Sequence, residues 1–120
     1  MNKEFIVLTL ERNRRRKVFV NEILYCKAEN SYTIVKIIND KEYLVSKPIK
    51  HFQEILKSHN FYRITRSLII NIDHCIEIKT GSNPELILIN NEKLKPDKNK
   101  ICEIEKRMFL SQSGYISFTS

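Results

Sequence analysis

Apolar residues fall along the chain in short runs broken by polar pairs, a rhythm that fits strands joined by turns. Phe5–Leu10 (FIVLTL) is the first run, and strand character resumes over 17–20. The charged stretch between them, Arg12 to Lys17, therefore reads as a basic turn. Strands are next expected over 23–26 and 32–38, joined by the polar connection Glu29-Asn30-Ser31. Asn39-Asp40 separates the latter from 42–45, as a tight hairpin would. Further on, 61–63 and 68–70 flank the polar interval Thr65-Arg66-Ser67. Cys75–Lys79 alternates, breaks at Gly81-Ser82-Asn83-Pro84 and is answered by 86–89, a second hairpin with a longer loop. Asn90-Asn91 marks another turn before Lys93-Leu94.

The period changes in two places. Ile49, Phe52, Ile55 and Leu56 lie three or four residues apart, one apolar stripe on a helix. Ser46 suits its N-cap, Pro48 its first turn, and His59-Asn60 its exit. His51 falls on the polar side. A second stripe, Ile101, Ile104 and Met108, predicts a helix capped by Asp97. Residues 109–120 fit either a frayed tail or an additional strand over 115–118. The pattern predicts a mainly β single domain of roughly eight to ten short strands with two short helices.

Composition narrows the class. At 120 residues and 42% hydrophobic, the chain is enough for one folded domain and too short for two ordinary ones. No apolar run approaches the ~18 residues of a membrane span, and the N-terminus lacks a signal-peptide stretch, so a cytoplasmic location is the default expectation. Cys26, Cys75 and Cys102 are odd in number, widely spaced and without a CxxC pair, and read as free thiols in a reducing compartment. Lysine and arginine total 21 against 14 acidic residues, for a formal charge of +7. That balance favours polyanions, but alone it serves DNA, RNA, an anionic membrane or plain solubility equally.

Catalytic patterns are missing from the sequence. His51, His59 and His74 form no HExxH or His/Cys metal spacing, and GxSxG, GxGxxG and GxxxxGK do not occur. A Cys75 nucleophile served by His74 or His59 would need an activating pocket that nothing in the sequence indicates. The chain is read as no enzyme, with no cofactor and no metal.

Four basic sites can meet a polyanion: Arg12 to Lys17, the Arg63/Arg66 pair, Lys93/Lys95, and Lys98/Lys100. The first is equally a solvated surface. Arg66 sits between apolar stretches whose packing can aim it, and an arginine fork addresses guanine O6 and N7 together or grips a phosphate. An ion pair with a carboxylate is the competing role. Asn99, beside Lys98 near a helix start, can pair with adenine or merely be solvated. Asn30-Ser31-Tyr32 offers short polar groups at the mouth of a strand pair, or simply a β-turn with Tyr32 packed on the sheet.

Taken in order, these pieces resemble the LytTR DNA-binding domain over residues 5–108, with 109–120 as the tail. Residues 22–32 (EILYCKAENSY) are similar to the family's strand–loop–strand block, and residues 61–71 (FYRITRSLIIN) to its F-x-R-x-x-R-S-x-x-V-N pattern. The segment from Leu86 to Asn99 follows its terminal strand, turn and helix start. The resemblance implies an elongated, mainly β fold that reads double-stranded DNA with loop residues in successive major grooves, as a transcriptional regulator. It implies Asn30, Ser31, Tyr32, Arg63, Arg66, Lys98 and Asn99 as DNA-binding residues, with these blocks emerging along one exposed side. Arg63 is either a support for Arg66 or a phosphate contact, and Asn71 holds the loop's backbone. Promoter direct repeats and self-association on DNA are the implied partners.

The sequence departs from the family at the third block. Asn91 stands where a glycine turn is usual, Asp97 replaces a serine, and Lys98-Asn99 replaces a more arginine-like pair. No receiver or membrane-sensing segment fits in the four residues before Phe5, so a standalone regulator and an excised domain are both open. A β-rich interaction module for an acidic protein is the competing reading, and RNA binding, without an RNP or GXXG motif, is third.

Overall fold

The computed structural model describes residues 4–110. Among these residues, ten strands and two short helices follow in the order that the apolar runs predict, giving a mainly β fold. The chain divides into two compact units, one ending at Asn71 and one beginning at Ile72.

The first unit holds β1 (Phe5–Leu10), β2 (Arg14–Phe19), β3 (Ile23–Glu29), β4 (Tyr32–Ile37), β5 (Glu42–Val45), α1 (Ile49–Ile55), β6 (Phe61–Thr65) and β7 (Leu68–Asn71). β1 and β2 form a two-stranded sheet, and the other five strands a sheet ordered β5-β4-β3-β7-β6, antiparallel throughout. Alternation along β4 sends Thr33, Val35 and Ile37 inward. They join Cys26 of β3, Val45 of β5 and Ile69 of β7 in one core with Ile49, Phe52 and Leu56 of the helical segment and Leu8, Leu10 and Val18 of the hairpin. Burying side chains of this size contributes roughly 1.5–3 kcal/mol each. Ile55, expected in the helical stripe, is instead 38% exposed.

The second unit carries β8 (Cys75–Lys79), β9 (Glu85–Leu88) and β10 (Lys93–Leu94) in a sheet ordered β10-β9-β8, then α2 (Ile101–Glu105) and a wider helical turn over Lys106–Leu110. Leu86, Leu88 and Ile104 are fully buried. Gly81 at φ 107° turns the β8–β9 loop, a conformation costly for a side chain. Asn91 sits at φ 68°, the left-handed region that asparagine tolerates in place of glycine. The suggested strand over 115–118 lies outside the described residues.

Two local expectations are corrected. The basic turn is mostly a strand: Arg14 to Lys17 pair with Leu10 to Val7 of β1, and the turn itself is only Glu11–Asn13. Arg12 and Asn13, at φ 60° and 59°, reverse the chain there. An exposed strand of charged residues carries no period-2 signal, so only the pairing with β1 reveals it. The caps also differ. α1 starts after Pro48 without a side-chain cap from Ser46, and Asp97 accepts from Lys100 N–H through its backbone oxygen (3.0 Å), with no side-chain cap bond.

Candidate nucleic-acid interface

Two tight turns lie at one end of the five-stranded sheet. Asn30-Ser31 closes the hairpin between Glu29 and Tyr32, which face each other across β3 and β4. Asn30 at φ 56° supplies the left-handed residue that such a turn favours. Arg66-Ser67 closes the hairpin between Thr65 and Leu68 of β6 and β7. Because β3 pairs with β7, with Lys27 opposite Leu68, the two turns are neighbours. A backbone bond from Ala28 N–H to Ser67 O (2.8 Å) ties them together. Asn30, Ser31 and Tyr32 are exposed, Tyr32 to 43%.

The two arginines of the β6–β7 hairpin have separate roles. Arg63 is half-buried on the face that carries α1. Its Nη1 donates to Gln53 Oε1 (2.8 Å), and its Nε (3.1 Å) and Nη2 both donate to the carbonyl of Arg66. Ser67 N–H donates to Thr65 Oγ1 (3.2 Å), closing the turn from its other side. The backbone of Arg66 is thus fixed by both neighbours and by Arg63. Its own guanidinium is exposed and makes no hydrogen bond or ion pair among the described residues. The carboxylate partner considered for Arg66 does not occur there. The turn therefore combines a held backbone with an exposed guanidinium fork.

Sequence reading missed two cations at this end. Lys27 is exposed on β3, opposite Leu68. Lys47 follows β5, whose Val45 pairs with Thr33, and the buried Thr33 hydroxyl donates to Lys47 O (2.7 Å). No local pattern marks either lysine, since only strand order brings them beside the turns.

In the second unit, Leu94 is half-buried and Pro96 buried, while Lys93 and Lys95 on either side of Leu94 are exposed. Lys98 and Asn99 are also exposed, in a tight turn over Lys98–Lys100 that precedes α2. Asp97 is exposed beside them and lowers the local positive potential.

The LytTr DNA-binding domain family matches residues 13–108, from the turn before β2 through α2. The chain belongs to the LytTR DNA-binding domain family. A search of curated proteins finds no match. Among solved structures, one is described as the LytTr DNA-binding domain of a methyl-accepting/DNA response regulator from Bacillus cereus. It is 21% identical, with a TM-score of 0.71 over 88% of this chain and 97% of that chain, a likeness of fold.

Within the LytTR domain, Asn71 is 3% exposed and donates from Nδ2 to Ile23 O (2.9 Å) at the start of β3. It lies at the end of β7 away from the Arg66 turn, so the hold on that turn's carbonyl comes from Arg63. Two of the LytTR domain's thiols, Cys26 and Cys75, are unsuited to nucleophilic work. Burial raises Cys26 from 9.0 to about 12, and burial plus the charge of Asp73 raises Cys75 likewise to about 12. Both thiols stay protonated at neutral pH, the reverse of activation. No His/Cys/Asp/Glu group able to hold a metal occurs among the described residues, and no helix there is long and apolar enough to cross a membrane. Since Cys102 is exposed, a maleimide at pH 7 is expected to label Cys102 in the native protein and to reach Cys26 and Cys75 only after denaturation. Mass spectrometry showing rapid native labelling of all three would contradict the packed core.

Proposed function

We propose that this chain is a transcriptional regulator that binds double-stranded DNA sequence-specifically, reading bases in the major groove with turn residues. The carrying observation is the Arg66 turn, whose backbone is held by Arg63, Thr65 and Ala28 while the guanidinium stays exposed and unpaired among the described residues. Membership of a DNA-binding family and the net charge of +7 support the same reading. In it, Arg66 reads a base, Asn30, Ser31 and Tyr32 contribute from the neighbouring turn, and Lys98 and Asn99 contribute from the second unit. Arg63 positions Arg66. Promoter direct repeats, and self-association on them, belong to this proposal.

Binding-site selection with the purified protein tests it. The selected duplex should bind on the order of a thousandfold more tightly than an unrelated duplex of equal length. Affinity for both should fall as salt rises, because phosphate contacts release counterions. Equal affinity for the two duplexes at moderate salt would sink the proposal.

A further inference from the structure

We infer that β2 is a second DNA contact, at which Arg14, Arg15 and Arg16 follow the phosphate backbone and add affinity that is independent of sequence. The inference rests on the DNA-binding reading above and concerns residues outside the turns.

Arg14, Arg15, Arg16 and Lys17 line, with Leu10, an open groove of about 440 Å³. None of the four pairs with a carboxylate among the described residues. Arg14 Nε donates to the backbone oxygen of Glu11 (3.3 Å), Arg16 lies 5.3 Å from the centre of the Tyr43 ring, and Lys17 lies 4.4 Å from that of Phe5. Arg15 has no partner at all there. Some cations of the same unit are compensated: Lys36 pairs with Asp40 and Glu42, and Lys57 with Glu54. β2 differs from these in carrying four consecutive cations with no carboxylate partner among the described residues.

Strand geometry distributes those charges. Arg14 and Arg16 face Leu10 and Leu8, which are buried, so they leave the strand on its inner side. Arg15 and Lys17 leave on the outer side, across from Thr9 and Val7. At a rise of about 3.4 Å per residue, Arg14 and Arg16 recur about 7 Å apart on one side of β2 while Arg15 leaves from the other, so the strand presents charge on both sides. A polyanion with regularly repeated charges can meet several of them at once, where a single carboxylate would meet one.

Position favours the duplex as that polyanion. Phe19 leads through Val20–Glu22 into the beginning of β3, at the end of the sheet opposite the turns. Arg16 stands beside Tyr43 of β5, the edge strand of that sheet, which leads through Val45 to Lys47 beside the turns. Of the hairpin's exposed apolar residues, Phe5 (46%) and Phe19 (38%) gather at the other end, and Val7 (53%) lies across from Lys17. Directly across from Arg14, Arg15 and Arg16 stand buried Leu10, polar Thr9 and buried Leu8, so β1 offers an acidic protein partner no exposed apolar residue at those positions.

The test uses the full chain carrying Arg14→Thr, Arg15→Thr and Arg16→Thr together, threonine being a good strand residue. Affinities for the selected duplex and an unrelated one are measured between about 50 and 200 mM salt. The logarithmic salt dependence should flatten by about 0.9 for each lost phosphate contact, up to nearly three in all, equally for both duplexes. Base preference should not move. If the triple variant unfolds, Arg15→Gln alone should flatten the slope by about one. An unchanged slope in a folded variant overturns the inference and favours an acidic protein partner for β2; a change confined to one base position also overturns it. If Arg66→Ala preserves base preference while the β2 variants flatten the slope, the reading of the turns fails and this inference stands.

Discussion

Arg66→Ala is expected to abolish discrimination at one localised base position of the selected duplex while leaving the domain folded. The side chain is exposed and unpaired among the described residues, so its removal breaks no contact that holds the turn. What holds the turn involves the Arg66 carbonyl, which alanine retains, and the bonds of Ser67. Loss of a bidentate base contact costs about 1–3 kcal/mol of discrimination, or roughly 5- to 150-fold. A phosphate contact would behave differently, weakening cognate and unrelated duplexes alike and reducing the salt slope. Binding is measured on the selected duplex and on each of its single-base variants, with circular dichroism as the folding check. A folded variant that keeps both affinity and base preference removes Arg66 from the recognition surface. A uniform loss assigns it to the backbone.

Much of this architecture is legible in sequence because the signals are local. The stripe Ile49–Phe52–Leu56 and the hairpin of Cys75–Lys79 with Glu85–Leu88 announce themselves through period and turn residues. Asn30 and Asn91 occupy left-handed turns, as residues of that type predict. The misses share a different cause. β2 looks like a turn because its charged residues have no apolar alternation, and only register with β1 makes them a strand. Ser46 and Asp97 are of capping type, but cap formation depends on how the chain enters each helix, which composition does not encode.

The site divides in the same way. That Arg66 stands in a polar interval between apolar runs can be read from the chain, but its lack of a partner among the described residues cannot. The distinction between Arg63 and Arg66 depends on α1 placing Gln53 against β6, a contact between residues ten positions apart. Lys27 and Lys47 join the same end only through the order β5-β4-β3-β7. Asn71 likewise serves Ile23, 48 residues away, rather than marking the adjacent turn.

Arg63→Ala is expected to lower both stability and base discrimination, and its effect on discrimination should vanish when Arg66 is already alanine. Arg63 donates twice to the Arg66 carbonyl and once to Gln53, joining the turn to α1. Hydrogen bonds from a charged donor contribute about 1.5–3 kcal/mol when sheltered, and less at a half-buried site such as this, so a loss of about 1–2 kcal/mol in chemical denaturation is expected. With the carbonyl released, the turn samples other conformations and the Arg66 fork is no longer held in place for its base. A double-mutant cycle on the cognate duplex and on the base variant identified with Arg66→Ala should give a coupling of about 0.5–3 kcal/mol. Arg63→Lys should recover only part of the effect, because an ammonium cannot reproduce the planar fork that spans the Arg66 carbonyl and Gln53 together. Additivity within about 0.5 kcal/mol would separate the two arginines. If Arg63→Ala instead weakens all duplexes equally and flattens the salt dependence by about one, Arg63 is a phosphate contact and not the support of Arg66.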